Sequence, residues 1–155
     1  MRAPAAGWSS LHATALVVGE SGLLLRGPSG AGKSALALAL IARARESAIF
    51  AALVGDDRIF LRACGGRLLA RGAPGFEGLV ERRFEGVVAV AHEPYAVARL
   101  VVDLVGRGQS APRMPGESDR IADLLGVRLP RIALDPAHGP LDHAYAALES
   151  LARLS

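Results

Sequence analysis

The chain of 155 residues is poor in lysine, in cysteine and in long apolar runs, and these shortages limit the kinds of protein that it can be. Cys64 is the single cysteine, so the chain cannot form an internal disulfide, which suits a reducing compartment. No uncharged apolar run approaches the roughly 20 residues that a membrane helix needs, which makes the cytoplasm the default location and excludes a membrane partner. The basic residues are scattered, so the net charge of +3 does not predict binding to nucleic acid.

Enough apolar residues are present to build a core. They make up 51% of the chain, and the mean hydropathy is +0.30, which argues against disorder. The sequence shows no repeat, linker or low-complexity segment. We therefore expect residues 1–155 to form a single α/β domain.

The only lysine, Lys33, lies in the strongest motif of the chain. The motif matches the phosphate-binding loop G-x-x-x-x-G-K-[ST] and reads Gly27, Pro28, Ser29, Gly30, Ala31, Gly32, Lys33, Ser34. Its glycines allow successive backbone N–H groups to converge on phosphate oxygens, and the lysine reaches the terminal phosphates. Ser34 would supply a hydroxyl to Mg²⁺. The motif predicts a nucleotide-binding site.

A chance match in a glycine- and alanine-rich chain is the alternative, and it is rejected if a strand precedes the loop and a helix follows it. Residues 23–26 form a short apolar run typical of a buried strand, and residues 34–45 are rich in helix-forming alanine and leucine. A tight turn at 19–22 would pair residues 23–26 with a strand at 12–18, which brings His12 towards the loop. Both required elements are thus predicted.

The remaining pattern predicts a mixed, partly antiparallel sheet. Residues 49–54 favour a central strand buried on both faces, and Cys64-Gly65-Gly66 indicates a hairpin between residues 59–62 and 67–71. Further strands are expected at 87–90, 100–104 and 132–134. Helices are expected at 117–125, closed by Gly126, and at 141–154.

Asp56 and Asp57 follow the predicted strand at 49–54, where many phosphate-loop enzymes place the carboxylate that holds Mg²⁺. Adjacent residues at a strand end point to different sides, so one carboxylate can serve the metal while the other faces a phosphoryl acceptor. A pair of aspartates in an ordinary turn is the alternative. The residues alone leave open whether the acceptor is a serine, a small metabolite or water.

Taken in order, several segments resemble the catalytic, C-terminal domain of HPr kinase/phosphorylase. They are His12-Ala13-Thr14-Ala15, the phosphate loop, Leu53-Val54-Gly55-Asp56-Asp57-Arg58, Ala73-Pro74, and Gly78-Leu79-Val80-Glu81-Arg82-Arg83. The resemblance covers about residues 10–135. It implies a phosphate-loop α/β domain with a nucleotide site like that of phosphoenolpyruvate carboxykinases. It also implies a protein serine kinase that uses ATP and Mg²⁺ to phosphorylate the phosphocarrier protein HPr and to regulate carbohydrate metabolism.

The resemblance also implies roles for individual residues. His12 matches the active-site histidine, Lys33 the phosphate-loop lysine, and Asp57 the residue that accepts the serine proton. Ser34 matches one magnesium ligand and Glu81 a second, and Asp56 is the further candidate for the metal; the resemblance leaves open whether Asp56 and Asp57 exchange roles. Arg83 and Arg113 match catalytic arginines. Longer members of the family assemble as hexamers, and the resemblance predicts a short form without their N-terminal domain.

Two departures from the family pattern bear on activity. Phe84 occupies the glycine position of the family's Glu-x-Arg-Gly segment. The backbone at Phe84 therefore cannot adopt a conformation that only glycine tolerates without strain. The family can also dephosphorylate HPr, with inorganic phosphate, so the resemblance implies this reverse reaction as well. The segment 135–140 replaces the sequence that the family uses for it, which weakens that expectation. Two other functions therefore stay open: a nucleotide-sensing protein without turnover, and a phosphate-loop kinase with another substrate.

Overall fold

A computed structural model describes residues 6–106, 108–135 and 137–155. The described residues form eleven strands, two α-helices and one 3-10 turn at Ser118–Arg120. The strands are β1 (Ser9–Leu11), β2 (Thr14–Val18), β3 (Ser21–Arg26), β4 (Ala51–Gly55), β5 (Ile59–Cys64), β6 (Arg67–Gly72), β7 (Leu79–Arg82), β8 (Gly86–Ala89), β9 (Tyr95–Leu104), β10 (Ile121–Leu124) and β11 (Val127–Leu134). The helices are α1 (Lys33–Glu46) and α2 (Pro140–Ala152).

Nine of these strands form one mixed sheet. Its main order is β1-β5-β6-β9-β3-β2-β4, with β11 paired to β9 and β10 paired to β11. The pairs β3–β9 and β9–β11 are parallel, whereas the other pairs in the sheet are antiparallel. Strands β7 and β8 form a separate two-stranded sheet. The mixed, partly antiparallel α/β architecture predicted from the sequence is confirmed.

Apolar side chains form two clusters on opposite sides of the large sheet. One joins β2, β3, β4 and β9 to both helices, with Leu36 and Leu40 of α1 and Ala144 of α2 fully buried. The other lies among strands and contains no helical residue. Because Lys33 and Ser34 end the phosphate loop and also begin α1, packing the apolar face of α1 on the sheet fixes the position of that loop.

Two sequence-based expectations about single elements were wrong. Residues 117–125 form a 3-10 turn and strand β10 instead of a helix, because Leu125 and Gly126, with φ of 53° and 80°, reverse the chain into β11. Strand β4 is fully buried as expected but lies last in the sheet order. Its outer edge is covered, since Leu53 exchanges backbone hydrogen bonds with Ala91 and Glu93.

No helix among the described residues has both the length and the apolar composition to span a bilayer. The expectation about the segment 135–140 rests partly on Pro136, which lies outside the described residues.

Candidate active site

The phosphate loop connects the end of β3 to the start of α1, as its motif predicts. Gly27 has φ of 151°, and a Cβ atom there would lie 2.7 Å from the backbone oxygen of Leu104. Only glycine therefore fits beside β9 at this point. Gly32 is the N-cap residue of α1 and has a left-handed φ of 99°. Because glycine has no side chain, no side-chain hydrogen bond caps the first N–H groups of the helix. Such an exposed helix N-terminus attracts anions.

Lys33 is folded back over its own loop. Its side chain is buried, and Nζ donates hydrogen bonds to the backbone oxygens of Gly27 at 2.8 Å and Pro28 at 3.1 Å. Burial lowers the pKa of Lys33, and the negative charges of Asp57 and Asp56 partly oppose this effect. The ammonium group and both carboxylates are therefore close enough to interact electrostatically.

Ser34 and Asp56 join the loop to the end of β4. The Ser34 hydroxyl lies 2.8 Å from Oδ1 and 3.0 Å from Oδ2 of Asp56, and it donates to this carboxylate. The fully buried Thr14 of β2 donates a second hydrogen bond to Oδ1 at 2.8 Å. Thr14 lies next to β4 because β2 and β4 are paired. The Asp56 carboxylate is thus held at the phosphate loop by two hydroxyl groups from different elements.

Asp57 points to a different partner. Its Oδ1 lies 3.4 Å from Nδ1 of His12, in the short connection between β1 and β2. The expected separation of the two carboxylates is present, but it does not come from strand pleating, because β4 ends at Gly55. Asp57 has a left-handed φ of 65°, which turns the chain between the two aspartates. Non-glycine residues in this conformation cost energy and cluster at functional sites.

An ion-pair cluster that the sequence did not predict lies beside the start of the loop. Asp103 of β9 accepts hydrogen bonds from Arg26 at 2.7 Å and 2.8 Å and pairs with Arg131 of β11. Burial tends to raise the pKa of Asp103, but the hydrogen bonds and charges of Arg26 and Arg131 outweigh it and lower the pKa. Since Arg26 immediately precedes Gly27, the cluster anchors the strand that carries the loop.

The other predicted site residues lie on the surface. Glu81 ends β7 with Arg82, and Arg83 follows in the turn before β8; both Glu81 and Arg83 are exposed. Arg113 is exposed in the segment between β9 and β10. Across residues 6–106, 108–135 and 137–155, no side-chain hydrogen bond or ion pair links these three residues to the aspartates. Their roles stay predictions from the family motif.

The oxygen atoms around Ser34 fit a magnesium ion. Mg²⁺ prefers oxygen ligands and usually takes one or two carboxylates together with substrate phosphates. The Ser34 hydroxyl and the Asp56 carboxylate supply such oxygens directly beside the phosphate loop. Within the described part of the chain, no group of three His, Cys, Asp or Glu side chains could hold a metal by itself.

Known proteins share this arrangement of elements. The structure of the HPr(Ser) kinase/phosphatase from Coxiella burnetii superimposes with a TM-score of 0.75 and 25% sequence identity, over 94% of this chain and 98% of that chain. HPr kinase/phosphorylase of Mycoplasma mycoides is 30% identical over 141 residues, and that of Burkholderia cenocepacia is 31% identical over 140 residues. These alignments cover 83% and 84% of this chain but only 42% and 41% of the relatives.

The chain thus spans less than half the length of the curated relatives it matches. A family model described as the HPr Serine kinase C-terminal domain matches residues 5–135, which include the phosphate loop, the aspartate pair and Glu81. The chain belongs to the HPr serine kinase C-terminal domain family.

Proposed function

We propose that this chain is a protein serine kinase that transfers the γ-phosphoryl group of ATP, with Mg²⁺, to a serine of the phosphocarrier protein HPr. The contact between Ser34 and Asp56 carries the proposal, because a hydroxyl and a carboxylate beside a phosphate loop are the groups that would hold Mg²⁺ there. The adjacent Asp57 is exposed and is left to face an acceptor. Family membership supplies the acceptor, since the relatives described above are HPr kinases.

The phosphate loop and Lys33 would bind the β- and γ-phosphates. Lys33 must first release the backbone oxygens of Gly27 and Pro28, which accept from its Nζ here. A phosphate oxygen offers a stronger, charge-assisted partner than a carbonyl oxygen, so this exchange is favourable. Ser34 and Asp56 would hold Mg²⁺, which neutralises charge on the phosphates when bound. We assign Glu81 as a further magnesium ligand by its place in the family motif.

Asp57 would orient the acceptor serine and take its proton. Phosphoryl transfer depends mainly on positioning and charge stabilisation, and the base needs only to accept a hydroxyl proton. His12 lies beside Asp57 and would fix its carboxylate or share its proton, depending on protonation. Arg83 and Arg113 would stabilise charge that develops on the transferring group.

A nucleotide sensor without turnover is a second candidate, and one observation favours it. Phe84 adopts a left-handed φ of 71° in the turn that follows Glu81 and Arg83, and its side chain is 99% exposed. A residue constrained in this way could keep the turn, and with it Glu81, away from Asp56. A sensor would bind ATP and Mg²⁺ with no transfer to any protein.

The deciding experiment incubates the purified chain with ATP, Mg²⁺ and HPr and weighs HPr by mass spectrometry. We expect one added phosphoryl group on a serine, none with HPr in which that serine is replaced by alanine, and none with the Lys33→Ala chain. Tight ATP binding without any phosphorylated HPr would reject the proposal and support the sensor. Phosphorylation of another protein or a small molecule, but not HPr, would support a phosphate-loop kinase with a different substrate.

A further inference from the structure

Two strands of the large sheet, β6 and β11, pair with different parts of the same edge of β9 and leave a gap between them. This gap is far from the phosphate loop. Strands β3 and β11 both pair with residues 101–103 of β9, so they must lie on opposite edges of it. Strand β6 shares its edge with β11, because β9 lies between β6 and β3. However, β6 pairs only with Tyr95–Val97 and β11 only from Val101 onward. Residues 98–100 of β9 therefore face a gap between β6 and β11.

A cleft of about 410 Å³ occupies this gap, and three arginines line it. Arg67 begins β6, Arg128 lies near the start of β11, and Arg99 belongs to β9. The register between β3 and β9 shifts here, from Gly22 opposite Ala98 to Leu23 opposite Leu100, so Arg99 is the extra residue of an irregularity. Such bulges redirect side chains and are over-represented beside binding sites.

The residues that line this cleft carry mostly positive charge. The pairing of β6 with β9 ends at Leu69 and Val97, so Arg67 and Arg99 both lie two residues beyond it, and like charges that line one cleft repel each other. Every Asp and Glu of the chain lies among the described residues, yet none forms an ion pair with Arg67, Arg99 or Arg128. Glu20 is the one carboxylate residue that lines the cleft. Three arginines and one glutamate leave a formal charge of +2.

We propose that this cleft is a binding site for a small anion with at least two negative charges, carried by phosphate or carboxylate groups. Guanidinium groups bind both kinds of group with paired N–H donors, and here they come from three different strands that line one cleft. The charge of a dianion balances the formal charge of the lining residues. Its binding would also remove the repulsion between Arg67 and Arg99.

The cleft is separate from the proposed ATP site. Glu20 lies in the turn before β3, whereas the phosphate loop follows the other end of this strand at Gly27. The six residues of β3 place the two ends roughly 20 Å apart. An anion in the cleft therefore does not contact the phosphate loop, and its binding does not depend on the proposed kinase activity.

The test is calorimetric titration of the Lys33→Ala chain, in which the phosphate loop is weakened, with pyrophosphate and separately with citrate. We expect at least one of these anions to bind, which also tells a phosphate ligand from a carboxylate ligand. Adding Arg99→Gln and Arg128→Gln should weaken binding about tenfold or more, since two charge-assisted contacts are lost. Arg62→Gln is the matched control, because Arg62 is also exposed on a strand but does not line the cleft.

A substitution of opposite sign makes the test independent of folding defects. Glu20→Gln removes the negative charge of the cleft and should tighten anion binding several-fold. The arginine substitutions should leave the melting temperature of the anion-free chain unchanged or raised, because they remove repulsion between like charges. If neither anion binds, or if the double substitution and Arg62→Gln have the same effect, the cleft is not an anion site.

Discussion

Ser34 and Asp56 are 22 positions apart in sequence, and their side chains meet at 2.8 Å, joining the phosphate loop to the end of β4. This contact determines how the two aspartates are divided. Asp56 accepts hydrogen bonds from the hydroxyl groups of Ser34 and Thr14, and Asp57 remains exposed beside His12. The proposed mechanism assigns the metal to the first carboxylate and the serine proton to the second.

Replacing the proposed base tests this division. Asp57→Asn should reduce transfer to HPr by about 10²- to 10⁴-fold, the range for loss of a general base. Its affinity for ATP should change by no more than a few fold, because Asp57 does not contact the phosphate loop in the proposed complex. Steady-state transfer rates and nucleotide titrations measure the two quantities. An unchanged transfer rate would show that Asp57 is not the base.

Thr14 should act as a positioning residue for Asp56. Thr14→Val keeps the shape of the buried side chain but removes the hydroxyl that donates to Oδ1, so the carboxylate loses one of its two fixed partners. We expect the Mg²⁺ concentration at half-maximal transfer to rise several-fold, with little change in metal-free nucleotide binding. Thr14→Ser retains a hydroxyl and should restore the normal requirement. If Val and Ser at position 14 gave the same Mg²⁺ requirement, Thr14 would have only a packing role.

The sequence predicted the elements whose signals are local. The glycine spacing of the loop, the apolar run before it and the alanine- and leucine-rich segment after it are next to one another, and β3 and α1 form where expected. The hairpin around Gly65 was also confirmed. The turn at Leu125 and Gly126 was missed because leucine rarely occupies a left-handed position, so Gly126 was interpreted as a helix end.

Contacts between distant residues could not be predicted from such signals. Arg26 and Asp103 are 77 positions apart, and they meet only because β3 and β9 pair in parallel. The part played by Thr14 likewise depends on the pairing of β2 with β4. The family resemblance identified both aspartates as site residues. Which of them contacts Ser34 depends on the left-handed turn at Asp57, and the sequence pattern does not predict that turn.

Removing Asp103 should destabilise the strands that support the phosphate loop. Asp103→Asn leaves Arg26 and Arg131 without a carboxylate partner, and we expect a loss of about 1–3 kcal/mol in the free energy of unfolding at neutral pH. Urea unfolding measures this change. Glu149→Gln, which removes an exposed ion pair with Arg153, is the control and should cost no more than about 1 kcal/mol.

The same cluster predicts a pH dependence. The pKa of Asp103 in the folded protein lies below its ordinary value of 3.8, so the unfolded chain binds the proton more readily. The stabilisation is therefore complete above the ordinary pKa and is lost as the pH falls through the folded pKa. The difference in stability between the wild type and Asp103→Asn should shrink in this acid range. A difference that stays constant down to complete protonation would contradict the ion-pair explanation.

Phe84 should affect stability through backbone strain and not through packing of its side chain. Its side chain is almost fully exposed and its φ is left-handed, a conformation that costs non-glycine residues about 1–2 kcal/mol. Phe84→Gly should therefore be about 1 kcal/mol more stable than Phe84→Ala in urea unfolding, although both lose the phenyl ring. Equal stabilities would mean that this turn is not strained. A higher transfer rate in Phe84→Gly would indicate that the turn also limits the approach of Glu81 to the metal.

The central claim is that the phosphate loop and both aspartates serve one nucleotide site. The most direct test is a crystal structure of the chain with Mg²⁺ and a non-hydrolysable ATP analogue. The account predicts a metal ion in contact with Ser34 and Asp56, and a γ-phosphate that faces the carboxylate of Asp57. A nucleotide whose metal and γ-phosphate lie away from both aspartates would contradict it.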